Sequence, residues 1–198
     1  MKRVYKQRVG VAVVVLVAGV ALALLNSRKD HDPTRVARPG SLATIKTDYG
    51  DFTVRLLANE APNTAATFAR LAREKFYDGL SFSLVNREAG LIAGGQAPQD
   101  REPTWRVPME ENNVPFERGT VAMFDPTGRS TEFTSTFLIV LSSRPGLAGQ
   151  VTIFGRVVGG MDALERIAEV DTTGAEGRPP FTPLERVTIN SITIAEAP

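Results

Sequence analysis

One histidine, no cysteine and scattered carboxylates are what this 198-residue chain offers for acid–base or nucleophilic chemistry. His31 lies in a charged, proline-punctuated stretch, so a Ser-His-Asp relay has no base beside a folded site. Without cysteine there are no disulfides, thiolate nucleophiles or sulfur-ligated metals. Glu110-Glu111 and Asp162 with Glu165 lack the spacing of a metal cluster or a glycosidase pair and read as a solvated face. Gly94-Gly95 and Gly159-Gly160 lie outside any Gly-x-Gly-x-x-Gly or Walker pattern, which leaves tight turns or close backbone approach as their use. Trp105, the single tryptophan, reads as a core or cap residue. Arg87 and Arg129, in loop-like segments, are cations that could donate a hydrogen bond. Neither a metal nor a cofactor is expected.

Positioning any such chemistry falls to elements with a strong order. Val9–Leu25 carries no charge and no hydrogen-bonding side chain. As a helix it is about 26 Å long, close to a hydrocarbon core of about 30 Å. Lys2, Arg3, Lys6 and Arg8 precede it without an acidic residue, which predicts a cytoplasmic N-terminus and an extracytoplasmic domain. The expectation is an uncleaved signal-anchor, and a single-pass membrane protein. Ala21-Leu22-Ala23 fits a small-x-small cleavage rule, so a cleaved signal peptide and a secreted domain are the alternative. The expected organisation is therefore a basic stub (1–8), a transmembrane helix (9–25), a charged tether with Pro33 and Pro39 (26–40) and one domain (41–198). Beyond the first 26 residues, 19 Lys and Arg face 22 Asp and Glu, a net charge of −3. No basic stripe for nucleic acid remains.

Within the domain, Leu42–Thr47 and Asp51–Leu57 flank Asp48-Tyr49-Gly50 as a hairpin. Asn59 is a candidate cap and Pro62 a first-turn residue for a helix ending near Lys75, with Ala65, Phe68, Leu71 and Ala72 on one face. Leu80–Val85, Thr120–Phe124, Thr136–Leu141 and Thr152–Val158 read as short strands. Met161–Val170 reads as a second helix, and Arg186–Ile194 alternates as a closing strand. Many strands and only two helices predict a mainly β barrel.

Six motifs in order resemble the cyclophilin-type peptidyl-prolyl isomerases. They are APNTAATFARLA (Ala61–Ala72), FYDG (Phe76–Gly79) with Phe82 and Gly94-Gly95, GTVAM (Gly119–Met123), STFLIV (Ser135–Val140), LAGQVTIFGRVVGGMDALERI (Leu147–Ile167) and the closing pattern Pro183–Ile192. The resemblance covers Leu42 to Ile194 and implies a closed eight-stranded barrel capped by two helices. It also implies a partner: proline-containing polypeptide segments.

The chemistry such a family performs crosses an amide rotational barrier of about 18–20 kcal/mol. An enzyme lowers it by favouring the twisted amide, whose pyramidal nitrogen can accept a hydrogen bond. The resemblance implies an arginine donor two residues after Phe82, and here that residue is Leu84. It further implies a groove of Phe82, Leu84, Leu91, Ala93, Met123, Phe124, Thr136, Phe137, Leu138, Leu147 and Val151. Of these, Leu91 stands for a methionine, Ala93 and Thr136 for glutamines, Leu138 for a phenylalanine and Val151 for a histidine. Gly90 stands for a phenylalanine and Gly146 for a tryptophan. Arg87 is a substitute donor only if its loop turns toward the groove, and Arg129 is similar; the ordinary reading of each is a solvated loop arginine. Two functions follow: an anchored isomerase acting on exported polypeptides with weak or lost turnover, or a non-catalytic peptide- or protein-binding module on the same barrel. A monomeric domain is expected in either case.

Overall fold

Alternation of apolar residues builds the first hairpin. In the computed structural model, which describes residues 37–143, 149–174 and 180–197, β1 (Leu42–Thr47) and β2 (Gly50–Leu56) pair antiparallel. Ala43 and Ile45 of β1 and Phe52, Val54 and Leu56 of β2 point inward and are buried. Gly50 turns the chain at φ +116°, and the Thr47 hydroxyl donates to its carbonyl at 2.7 Å. Asp48 in the turn accepts from Asn190 Nδ2 at 3.0 Å and from the Thr188 amide at 3.1 Å. The Asn190 contact leads these bonds in holding its carboxyl below the usual value, and together they fasten the first turn to the last strand.

The first helix, α1 (Pro62–Arg73), buries Ala65, Phe68, Leu71 and Ala72 as the spacing predicts. Its cap is not Asn59. The N-terminal boundary is Ala61, which has no side-chain cap. Glu110 instead reaches in from a distant loop, accepting from the Asn63 amide at 3.0 Å and the Thr64 amide at 2.8 Å. Two donors left open by helix geometry are thereby satisfied by an anion at the positive end of the dipole.

After α1 come β3 (Ser81–Asn86), β4 (Leu91–Gly94), β5 (Val107–Pro108), β6 (Thr120–Met123), β7 (Glu132–Phe133), β8 (Phe137–Val140), β9 (Thr152–Gly159), α2 (Met161–Ala168) and β10 (Val187–Ala195). Eight of the ten strands close a barrel in the order β1-β10-β3-β4-β8-β6-β9-β2, while β5 and β7 form a separate ribbon. Closure of the last strand on the first runs from Leu42↔Ala195 to Thr47↔Ile189. The expected mainly β barrel with two helices is present. Strands β5 and β7 escape the sequence pattern because they span only two residues each, and β4 because half of it is Ala93 and Gly94, residues depleted in strands.

Packing begins earlier than residue 41: Ala37 is 3% exposed and belongs to the core. Among the described residues no helix is long and apolar enough to cross a membrane, and Val9–Leu25 lies outside them.

Candidate functional site

Five neighbouring strands carry two parallel rows of side chains. Register aligns Phe82 of β3, Gly94 of β4, Phe137 of β8, Met123 of β6 and Thr152 of β9. The adjacent row aligns Leu84, Ala93, Leu138, Ala122 and Ile153 across the same strands. Successive residues of a strand face opposite ways, so one row points into the barrel and the other out. Phe82 and Leu84 would share a face in a regular strand. A register shift between them separates the two.

The inner row is packed shut. Phe82, Met123 and Phe137 join the central core, with Phe137 meeting Phe68, Tyr77 and Phe82 edge-on at centroid separations of 5.7, 5.8 and 6.1 Å. These three residues were expected to line the groove. They form its backing instead, because the bulge in β3 and the pleat turn them inward. Tyr77, wholly buried beside them, donates to the Ser135 carbonyl at 3.1 Å, and burial raises its phenol pKa.

The outer row floors an apolar cleft of about 170 Å³. Leu84, Leu91, Ala93, Leu138, Phe124 and Val151 of the expected set come together there, joined by Asp125, Gly128, Ser130 and Gln150. Phe124 also borders a neighbouring cleft of about 330 Å³ that holds Thr136, Arg106 and Arg129. Leu147 lies outside the described residues.

One wall of the apolar cleft is the loop after Met123, from which the sequence reading took Phe124 as a groove residue and Arg129 as a candidate donor. Asp125 organises it by accepting from the Thr127 amide (3.0 Å) and hydroxyl (2.6 Å) and from the Arg129 (3.0 Å) and Ser130 (2.9 Å) amides. Burial pushes its carboxyl upward, but those hydrogen bonds outweigh it and hold the pKa below the usual value. The Asp-Pro-Thr-Gly string was the available signal, an aspartate poised to bond its own following backbone.

Neither candidate donor reaches this cleft. The Arg87 guanidinium, 66% exposed, lies 3.9 Å from Glu169 just past α2. Arg129 lines the neighbouring cleft with Arg106. Among the described lining residues, Asp125 is the sole ionisable group, and no cation faces Leu84.

Comparison with known proteins decides the family. Residues 42–194 match the family model for cyclophilin type peptidyl-prolyl cis-trans isomerase/CLD, a stretch running from the first strand of the barrel to the last. The chain belongs to the cyclophilin family. A peptidyl-prolyl cis-trans isomerase of Helicobacter pylori is 34% identical over 136 residues, covering 65% of this chain and 82% of the relative. Peptidyl-prolyl cis-trans isomerase B of Escherichia coli is 28% identical over 165 residues, covering 78% of this chain and all of the relative. The crystal structure of a Cryptosporidium parvum cyclophilin matches with a TM-score of 0.68 at 21% identity, over 80% of this chain and 99% of that one. A second structure of that cyclophilin, in the presence of the dipeptide Ala-Pro, matches equally well at 0.68. In this cyclophilin the apolar cleft presents Leu84, an aliphatic side chain with no hydrogen-bond donor.

Proposed function

We propose that this chain is a membrane-anchored, cyclophilin-type peptidyl-prolyl isomerase-like protein that holds proline-containing segments of exported polypeptides and turns them over weakly or not at all. One observation carries the reading: Leu84 sits in an apolar cleft whose described lining contains no cation. Ground-state binding needs only the apolar walls, whereas rate enhancement needs a donor aimed at charge that develops in the transition state. Removing one such preorganised donor costs about 100- to 1000-fold in rate in other enzymes. The anchoring part of the proposal is supported by the uncharged run Val9–Leu25 and the basic residues before it.

The test is an exchange-NMR isomerase assay on the full chain in lipid nanodiscs, beside the Escherichia coli relative. The expected kcat/KM is at least about 100-fold below that of the relative, with Leu84→Arg moving it upward. Turnover matching the relative refutes the reading, and its loss in Arg87→Ala then identifies the donor. Methyl resonances of Leu84 and Leu138 in this chain are expected to shift with an Ala-Pro peptide, and that of Leu138 in Leu84→Arg as well. For the anchor, protease accessibility of the domain from the outside of intact cells is the expected result, and protection overturns that orientation.

A further inference from the structure

The outer row does not stop at the apolar cleft. From Leu138 it continues through Ala122 to Ile153, and Ile153 floors a second cleft of about 500 Å³. Val114, Phe116 and Val151 complete its apolar lining, and Val151 also lines the first cleft. An antiparallel barrel ordinarily keeps polar residues on its wet face. Here the outward row Leu84, Ala93, Leu138, Ala122 and Ile153 is apolar throughout, and those residues join Phe116, Val140 and Val151 in one cluster outside the barrel core. Ala122, between Leu138 and Ile153, is wholly buried and lines neither cleft, so Val151 is the residue through which the two clefts adjoin.

The far cleft is built. Asn112 donates to the Ile153 carbonyl at 2.9 Å and accepts from the Val114 amide at 3.3 Å, pinning the loop to β9. The Glu110 amide donates to Thr152 Oγ1 at 2.8 Å while its carboxylate caps α1, fixing the loop at a second point. Its charge is one-sided as well. Glu111 is the single ionisable group among its described lining residues, as Asp125 is in the first cleft. The cations close by in sequence are engaged: Arg156 with Glu117 at 2.7 Å, and Arg118 with Glu165.

We propose that both clefts form one binding groove for an extended segment carrying a proline, a large apolar side chain about three residues away and a basic residue beside that side chain. The inference rests on the peptide-holding reading of the first cleft. The spacing follows from geometry: Leu138 and Ile153 are two strands apart, about 10 Å, and an extended peptide covers that in about three residues. The basic residue answers the Glu111 carboxylate of the far cleft.

The experiment is fluorescence anisotropy of the full chain in nanodiscs with nine-residue peptides built around Ala-Pro. Leucine is placed in turn at each position two to four residues to either side of the proline, against an alanine background. Leucine at one position about three residues away is expected to tighten binding about tenfold, from burial of its side chain. Val114→Asp, which puts a charge in the far cleft, is expected to bring that leucine-to-alanine ratio down to about one. Because the ratio is taken on a single protein, a reduced folded fraction does not imitate it. Lysine next to the leucine is expected to add about threefold at low salt, an increment that Glu111→Gln removes. A flat leucine scan with the alanine parent still bound overturns the second cleft and leaves the first standing. A leucine advantage that survives Val114→Asp overturns it too. Failure of every peptide to bind, leucine or not, removes the peptide-holding reading itself.

Discussion

The two faces of strands β3, β4, β8, β6 and β9 are built from neighbouring residues yet answer to different constraints. Inward, Phe82, Phe137 and Met123 interlock with α1, and Gly94 is small because a Cβ there would lie 2.9 Å from the Phe82 ring. Outward, Leu84, Ala93 and Leu138 line the apolar cleft and pack in a second cluster apart from the barrel core. Ala93 is 3% and Leu138 5% exposed, so these residues answer to that cluster and not to the rings inside. The family's framework survives on the first face and its expected polar groups have given way to aliphatic ones on the second. A fold can therefore hold its shape while the surface that carries chemistry is rewritten one pleat away.

The sharpest way to break this contrast is a pair of adjacent truncations. Phe137→Ala is expected to cost about 4 kcal/mol of unfolding free energy, since the ring is 1% exposed and leaves a cavity among other rings. Leu138→Ala, on the cleft side, is expected to lose about half as much while weakening Ala-Pro peptide binding. Urea unfolding of both variants checks it, and equal losses would erase the distinction. A smaller effect is expected from Gly94→Ala. The added methyl would meet Phe82 Cδ1 at 2.9 Å and the Ser81 carbonyl at 3.1 Å, a strain of about 2 kcal/mol. Tm measured beside Ala93→Gly, its outward-facing neighbour, sharpens the comparison: the inner substitution should be the costlier.

The smallest expected effect concerns acid. Asp125 titrates below its ordinary value of 3.8 because loop hydrogen bonds outweigh its burial. A carboxylate depressed in the folded state contributes its stability above the unfolded pKa and loses it as pH falls through the folded one. Amide shifts of Thr127, Arg129 and Ser130 should therefore move together with a midpoint below pH 3.8, and Asp125→Asn should abolish that shared transition. Three independent midpoints would show that the carboxylate does not organise this wall of the cleft.

Much of the architecture was legible in the residues. The first hairpin, α1, α2 and β10 follow from period and turn chemistry, and each lies within about two residues of its expected bounds. The strand β4 was not legible, since Leu-Ile-Ala-Gly ends in two residues depleted in strands, unlike the equally short β6 and β8. Nor was the cap of α1, because Glu110 acts across 46 residues of sequence and Asn59 was the nearer candidate. In the site, Leu84 and its aliphatic companions could be named from motif order. The inward turn of Phe82 could not, for it depends on one bulge.

Residue order alone determined which side chains are available: an aliphatic where a guanidinium is expected, no cysteine, and one histidine outside the barrel. It determined the barrel as well, because alternation and turn residues are local properties that the chain carries everywhere. The tertiary structure alone decided which face each residue serves and which loops wall the clefts. Those outcomes are set by strand register and by contacts between segments far apart in the chain, and a single shift of register reverses inside and outside.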